Sequence, residues 1–238
     1  MKKLLTITVV VVMIALIILP VQASASSYTV TDVYGSSATF NVSGGTLTVT
    51  LVDGRAATTG GQELTALFFN LSGVGTLMPG SAIIASGNTV LGGSFPSGGN
   101  VGGEWEYLGN LTGLSIGATR GIGSAGLGVF GDANFNGLNL PGGNGKPSPL
   151  AVDGPQWGLT NGVLPNGVGH KPLVSNSVVF TLSGAGSFAP STGTIADVTF
   201  WYGTGDVPNQ VQVPEPTTLL LLGFGLIAVS GIRRKLTK

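Results

Sequence analysis

Short apolar runs that alternate residue by residue, each closed by glycine, asparagine or serine, narrow most sharply what this chain can become. In TLTVTLV, Leu47, Val49 and Leu51 fall on one side while Thr46, Thr48 and Thr50 fall on the other, the period of a half-buried strand. SVVFTLSG groups Val178, Phe180 and Leu182 in the same way, and ADVTFWYG groups Val198, Phe200 and Tyr202. ELTALFFNLSG, SATFNVSG and EWEYLG are further strand candidates. Glycine supplies 41 of the 238 residues and charged residues only 8%, a composition that fits either a low-complexity chain or a loop-rich β protein. The alternation selects the second. No window between the termini combines helical spacing with a capping signal, so the expected fold is mainly β: a glycine-rich, antiparallel, jelly-roll-like β-sandwich.

The two ends follow other rules. Lys2 and Lys3 precede an apolar run from Leu4 to Leu19, Pro20 breaks it, and Ala23-Ser24-Ala25 presents small residues where a signal peptidase reads. Residues 1–25 therefore read as a signal peptide cleaved after Ala25. At the other end Thr217 to Ile232 carries no charge; as a helix it spans about 24 Å, short of a hydrocarbon core of about 30 Å but workable when flanking cations snorkel. Removing both ends leaves residues 26–213, enough for one ordinary domain.

Six of the ten basic residues lie in those ends. The remainder keeps Arg55, Arg120, Lys146 and Lys171 against nine acidic residues, a net of −5. A chain of that charge lacks the basic face that nucleic acid requires. Without cysteine there is no disulfide, thiolate metal site or cysteine nucleophile. The stretch 117–169 concentrates Pro, Gly and Asn with brief apolar islands and reads as a partly ordered excursion between two groups of strands.

The tail sets Pro214-Glu215-Pro216 before the apolar run and Arg233-Arg234-Lys235 after it. A helix starting after Pro216 suits a residue that lacks the amide donor, and the cations belong in the cytoplasm, which leaves residues 26–213 outside the inner membrane. This three-part arrangement over residues 214–238 resembles the PEP-CTERM sorting signal of Gram-negative bacteria. The resemblance implies handling by an exosortase, a membrane transpeptidase thought to recognise the motif, cut nearby and deliver the protein to the surface. Phe200-Trp201-Tyr202-Gly203-Thr204 is similar to the closing strand of a group of exosortase-dependent surface proteins, a group with no established chemistry to carry over.

Internal constellations are weak by comparison. Asp132, Asn134, Asn136 and Gly137 match the start of a calcium loop, but Gly143 stands where its bidentate glutamate belongs, so an Asx-type turn is favoured, any calcium site would be weak and would need Asp153 or backbone carbonyls, and no other cofactor is expected. GIGSAG at Gly121, Gly123 and Gly126 has the spacing of a dinucleotide loop without its β-α-β surroundings. GLSIG around Ser115, with Asp132 or Asp153 and then His170, follows the order of a hydrolase triad but lacks the helix the nucleophile needs. Glu104 and Glu106, if on one strand, lie on one face about 6.5–7 Å apart, a separation open to an inverting glycosidase and common on any wet strand. Trp105, Tyr107, Trp157, Trp201 and Tyr202 are candidate sugar platforms, with core packing the ordinary alternative for such rings. Asn41, Asn70 and Asn110 each head an N-x-[ST] triplet, which a bacterial chain does not use for glycosylation.

The expectation is thus an exported surface or biofilm-matrix protein with a non-catalytic structural or interaction role. Its partners would be signal peptidase, exosortase, transiently the inner membrane, and, in the alternative reading of a carbohydrate-binding module, an exopolysaccharide. A secreted hydrolase ranks third.

Overall fold

A computed structural model describes residues 26–112, 114–130, 139–141, 154–168, 171–205 and 211–212. The signal peptide with Ala23 and Ala25, the calcium candidates Asp132, Asn134 and Asn136, the residues Asp153 and His170, and everything from 213 onward, including Pro214, Glu215, Pro216, Arg233, Arg234, Lys235 and the membrane helix expected at 217–232, lie outside the described residues.

The described chain is mainly β. Its strands are β1 (Ser26–Thr31), β2 (Ser37–Ser43), β3 (Gly45–Val52), β4 (Leu64–Leu71), β5 (Met78–Ile84), β6 (Val90–Leu91) and β7 (Glu106–Leu108). They continue with β8 (Arg120–Gly123), β9 (Leu159–Thr160), β10 (Leu173–Ser175), β11 (Ser177–Gly186), β12 (Ile195–Tyr202) and β13 (Val211–Gln212). Among the described residues the only helical turns are the short 3-10 segments Ser97–Gly99 and Gly102–Glu104, and no helix is long and apolar enough to cross a membrane.

One sheet has the order β1-β2-β3-β11-β5 and is antiparallel throughout. The alternation explains its register. Phe40 lies opposite Val49, and Val49 opposite Phe180, so each buried row continues across three strands; Leu47, Val49, Leu51, Val178, Phe180 and Leu182 are fully buried. The β2–β3 turn places Ser43 opposite Thr46 with Gly44 and Gly45 at φ +56° and +77°, the double left-handed conformation of a two-residue hairpin whose twist matches the strands it joins.

The second sheet runs β13-β12-β4-β9-β10-β6, with β8 also on β4 and β7 on β8. Here the antiparallel expectation fails where β9 and β10 pair in parallel, Val174 opposite Leu159. A parallel return needs a crossover of about a dozen residues. The chain between them makes one: it runs out to residues 58–60, where Asn166 N–H donates to Thr58 O at 3.1 Å and Gly60 N–H to Asn166 O at 2.6 Å. Within the expected excursion 117–169, β8 and β9 are strands of this sheet.

One hydrophobic core joins the sheets. Phe40 of β2 meets Phe69 of β4 edge-on at 5.3 Å between centroids, and Trp105 meets Phe180 of β11 at 4.9 Å. The second sheet is also covered on its outer side, where Ala66, Phe68 and Trp201 pack with Ala118, Ala125, Leu127 and Phe130. That second cover explains the continuous apolar runs of β4 and β12, because a strand buried on both faces has no polar side to alternate. Gly121 and Gly123 belong to this packing: a Cβ on Gly121 would meet the rings of Phe68 and Phe130 at 3.0 Å or less, and one on Gly123 would run into the ring of Phe130.

Candidate functional site

Charged residues are rare in this chain, yet two aspartates are buried at one end of the two-sheet core. Asp32 follows β1 and is 7% exposed; Asp53 follows β3 and is 3% exposed. Each aspartate directly follows the last residue of its strand, Thr31 of β1 and Val52 of β3, where the chain begins a turn. Asp32 Oδ1 accepts the N–H groups of Tyr34 and Ser36, both at 2.8 Å, closing the β1–β2 turn as an Asx turn does. Asp53 Oδ1 accepts Arg55 N–H at 2.9 Å in the same manner.

The two turns are bound together by hydroxyls. Ser36 Oγ donates to Asp53 Oδ1 at 2.9 Å and accepts Gly54 N–H at 3.0 Å. Tyr202, the last residue of β12, reaches in from the other sheet. Its hydroxyl donates to Asp32 Oδ2 and lies 2.7 Å from Ser36 Oγ. Arg55 closes the cluster toward solvent, with its guanidinium carbon 4.5 Å from the Tyr34 ring centroid and 4.9 Å from that of Tyr202, within cation–π range. Tyr34 and Tyr202 meet edge-on at 5.7 Å. Asp53 Oδ2 and Arg55 Nη1 are buried without a hydrogen-bond partner among the described residues.

Burial dominates the electrostatics. Loss of solvent pushes the Asp53 carboxyl up to about 6, against the opposing pull of its bonds to Arg55 N–H and Ser36, while nearby Asp32 adds to the rise. The Tyr202 phenol is likewise held well above its ordinary value, first by burial and then by its bond to Asp32. Removing a charged form from water disfavours it, so this cluster resists further negative charge.

The chain just beyond Tyr202 is anchored as firmly. Gly203 N–H donates to Glu63 O at 2.8 Å and Thr65 Oγ1 donates to Gly203 O at 2.6 Å. Gly203 has φ +72°, and a Cβ there would stand 2.7 Å from Gly61 O, so only glycine fits. Of the FWYGT stretch, Tyr202 and Gly203 thus have defined structural duties.

The residues singled out from sequence are placed elsewhere. Trp105, Tyr107, Trp157, Trp201 and Tyr202 are all buried, none more than 7% exposed, which corrects their reading as sugar platforms: a buried ring has no open face left for a pyranose. Trp105 fills the core against Phe180, Trp201 packs edge-on to Phe68 at 5.3 Å, and the Tyr107 hydroxyl accepts Arg120 Nη1–H at 3.0 Å. Glu104 and Glu106 do not share a strand; Glu104 closes a 3-10 turn and only Glu106, which is buried, belongs to β7. Ser115 sits exposed in a turn closed by Gly117 N–H to Leu114 O at 3.1 Å, and the element that follows is β8 and not a helix. Gly121 and Gly123 lie within β8 under aromatic rings, where they cradle no phosphate. Among the described residues no group of three or more His, Asp or Glu side chains could hold a metal ion.

Asp32, Ser36, Asp53 and Arg55 had no motif to announce them. The cue the sequence offers is that each aspartate directly follows an alternating apolar strand in a chain with few charges.

Comparison with known families matches residues 212–235 to the PEP-CTERM protein-sorting motif. The match begins at Gln212, the second residue of β13. No curated protein and no solved structure matches the chain. The motif marks an exosortase-dependent, sorted protein whose precursor is exported and held in the membrane by its C-terminal signal.

Proposed function

We propose that the chain, with its sorting motif at 212–235, is a non-catalytic structural or interaction protein of the cell surface or extracellular matrix of a Gram-negative bacterium. In this reading the folded part is a glycine-rich β-sandwich, jelly-roll-like in that the chain passes repeatedly between sheets, from β3 to β4, back to β5, and again from β11 to β12. Signal peptidase removes residues 1–25, the tail holds the precursor in the inner membrane, and exosortase releases or transfers the mature domain outward.

The observation that carries this is the junction: the match begins within the last described strand, two residues before Pro214. Fold and sorting signal therefore adjoin almost without a linker. An inward-packed set of tryptophans supports a scaffold over a sugar-stacking module. The test replaces Pro214, Glu215 and Pro216 by alanine in the full chain. The variant should accumulate in the inner-membrane fraction at precursor size, while wild type leaves it. Equal release of both would refute exosortase sorting.

A further inference from the structure

The buried cluster contains more oxygen contacts than it has hydroxyl protons to fill. Asp32 Oδ2, Tyr202 Oη, Ser36 Oγ and Asp53 Oδ1 stand in a row joined by three contacts: Asp32 to Tyr202, Tyr202 to Ser36 at 2.7 Å, and Ser36 to Asp53 at 2.9 Å. Each contact between two oxygens at such a distance requires a proton between them. Tyr202 and Ser36 bring one each. If both aspartates are ionised, Tyr202 donates to Asp32 and Ser36 donates to Asp53, and the two hydroxyl oxygens face each other lone pair to lone pair.

We propose that Asp32, Tyr202, Ser36 and Asp53 form one proton-sharing chain that holds an additional proton in mild acid, fastening the end of β12 to the turns after β1 and β3, and loosening when that proton leaves. With the proton on Asp53 every contact is filled. Asp53 Oδ1–H donates to Ser36, Ser36 to Tyr202 and Tyr202 to Asp32, while Ser36 Oγ still accepts Gly54 N–H. Asp32 Oδ1 meanwhile accepts two backbone N–H groups, and its Oδ2 remains an acceptor for Tyr202. Asp53 has an oxygen, Oδ2, without a hydrogen-bond partner among the described residues, and burial raises its carboxyl. Among the described residues the other ionisable groups nearby are Tyr34 on the first turn, Arg55 after β3, lying over the two tyrosine rings, and Glu63 before β4, whose Oε2 is taken by Gly61 N–H at 2.6 Å.

The sign follows from linkage. A carboxyl raised in the folded state binds more protons folded than unfolded, so stability is greatest below the unfolded value near 3.8 and declines as pH rises through about 6. The test is a titration of the full chain in detergent with carboxyl-labelled aspartate, followed by carbon NMR. One aspartate should titrate near pH 6, apart from the rest, and its resonance should be missing in Asp53→Asn. Denaturant unfolding of wild type relative to Asp53→Asn should lose on the order of fifty-fold in folding equilibrium constant between pH 4 and pH 7. If the variant does not fold, the wild-type titration decides alone. Every aspartate fully ionised by pH 5 would overturn the proposal.

Discussion

Replacing Tyr202 by phenylalanine removes one oxygen and leaves the ring, so it isolates what the hydroxyl contributes. The ring keeps its edge contact with Tyr34 and its place under Arg55. What is lost is the donor to Asp32 Oδ2 and the 2.7 Å contact with Ser36. Asp32 is 7% exposed, so solvent cannot replace that donor without opening the turn. A hydrogen bond to a charged, buried acceptor is worth about 1.5–3 kcal/mol. At about 2–4 °C per kcal/mol for a domain of this size, the midpoint of thermal unfolding should fall by about 3–12 °C. The assay is circular dichroism of the full chain in detergent at pH 7, with Tyr34→Phe as control, since Tyr34 is 42% exposed and its substitution should change the midpoint by little. A Tyr202→Phe midpoint within 1 °C of wild type, or a drop shared equally by the control, would refute the claim that the hydroxyl secures β12.

Two further outcomes follow from packing. Gly203→Ala places a Cβ both in left-handed backbone and against Gly61 O, whereas Gly35→Ala meets only the first cost, at φ +85° with open space around it. The left-handed conformation alone costs about 1–2 kcal/mol, so Gly203→Ala should unfold in clearly less urea than Gly35→Ala; equal midpoints would contradict the close approach at Gly61. Because Trp105, Trp157 and Trp201 are all buried, acrylamide should quench the folded chain far less than the urea-unfolded chain, and added polysaccharide should leave the emission unchanged. Strong quenching of the folded state would contradict the placement of these rings.

Sequence periodicity revealed the fold where one face of a strand is buried and the other wet. β3 and β11 are of this kind, and the rows Leu47–Val49–Leu51 and Val178–Phe180–Leu182 are buried as the alternation requires. It misled at β12, where Trp201 and Thr199 are buried as well as Val198, Phe200 and Tyr202, because the cover over the outer face comes from residues near 110–130 that no local pattern connects to it. Strands of two to four residues such as β8 and β9 are too short to show a period. The polar cluster was illegible for a related reason: Asp32 and Tyr202 are 170 residues apart, and spacing along the chain carries no information about a contact made across two sheets. The sorting motif was legible because its parts are contiguous and are read by position.

If the tail is a processing signal, the mass of the mature C-terminus reveals it. Protein recovered from wild-type cells should end near Pro214-Glu215-Pro216, without the apolar run and Arg233-Arg234-Lys235, while cells lacking exosortase should retain a chain running to Lys238. A chain intact to Lys238 in both, or cut identically in both, would contradict it.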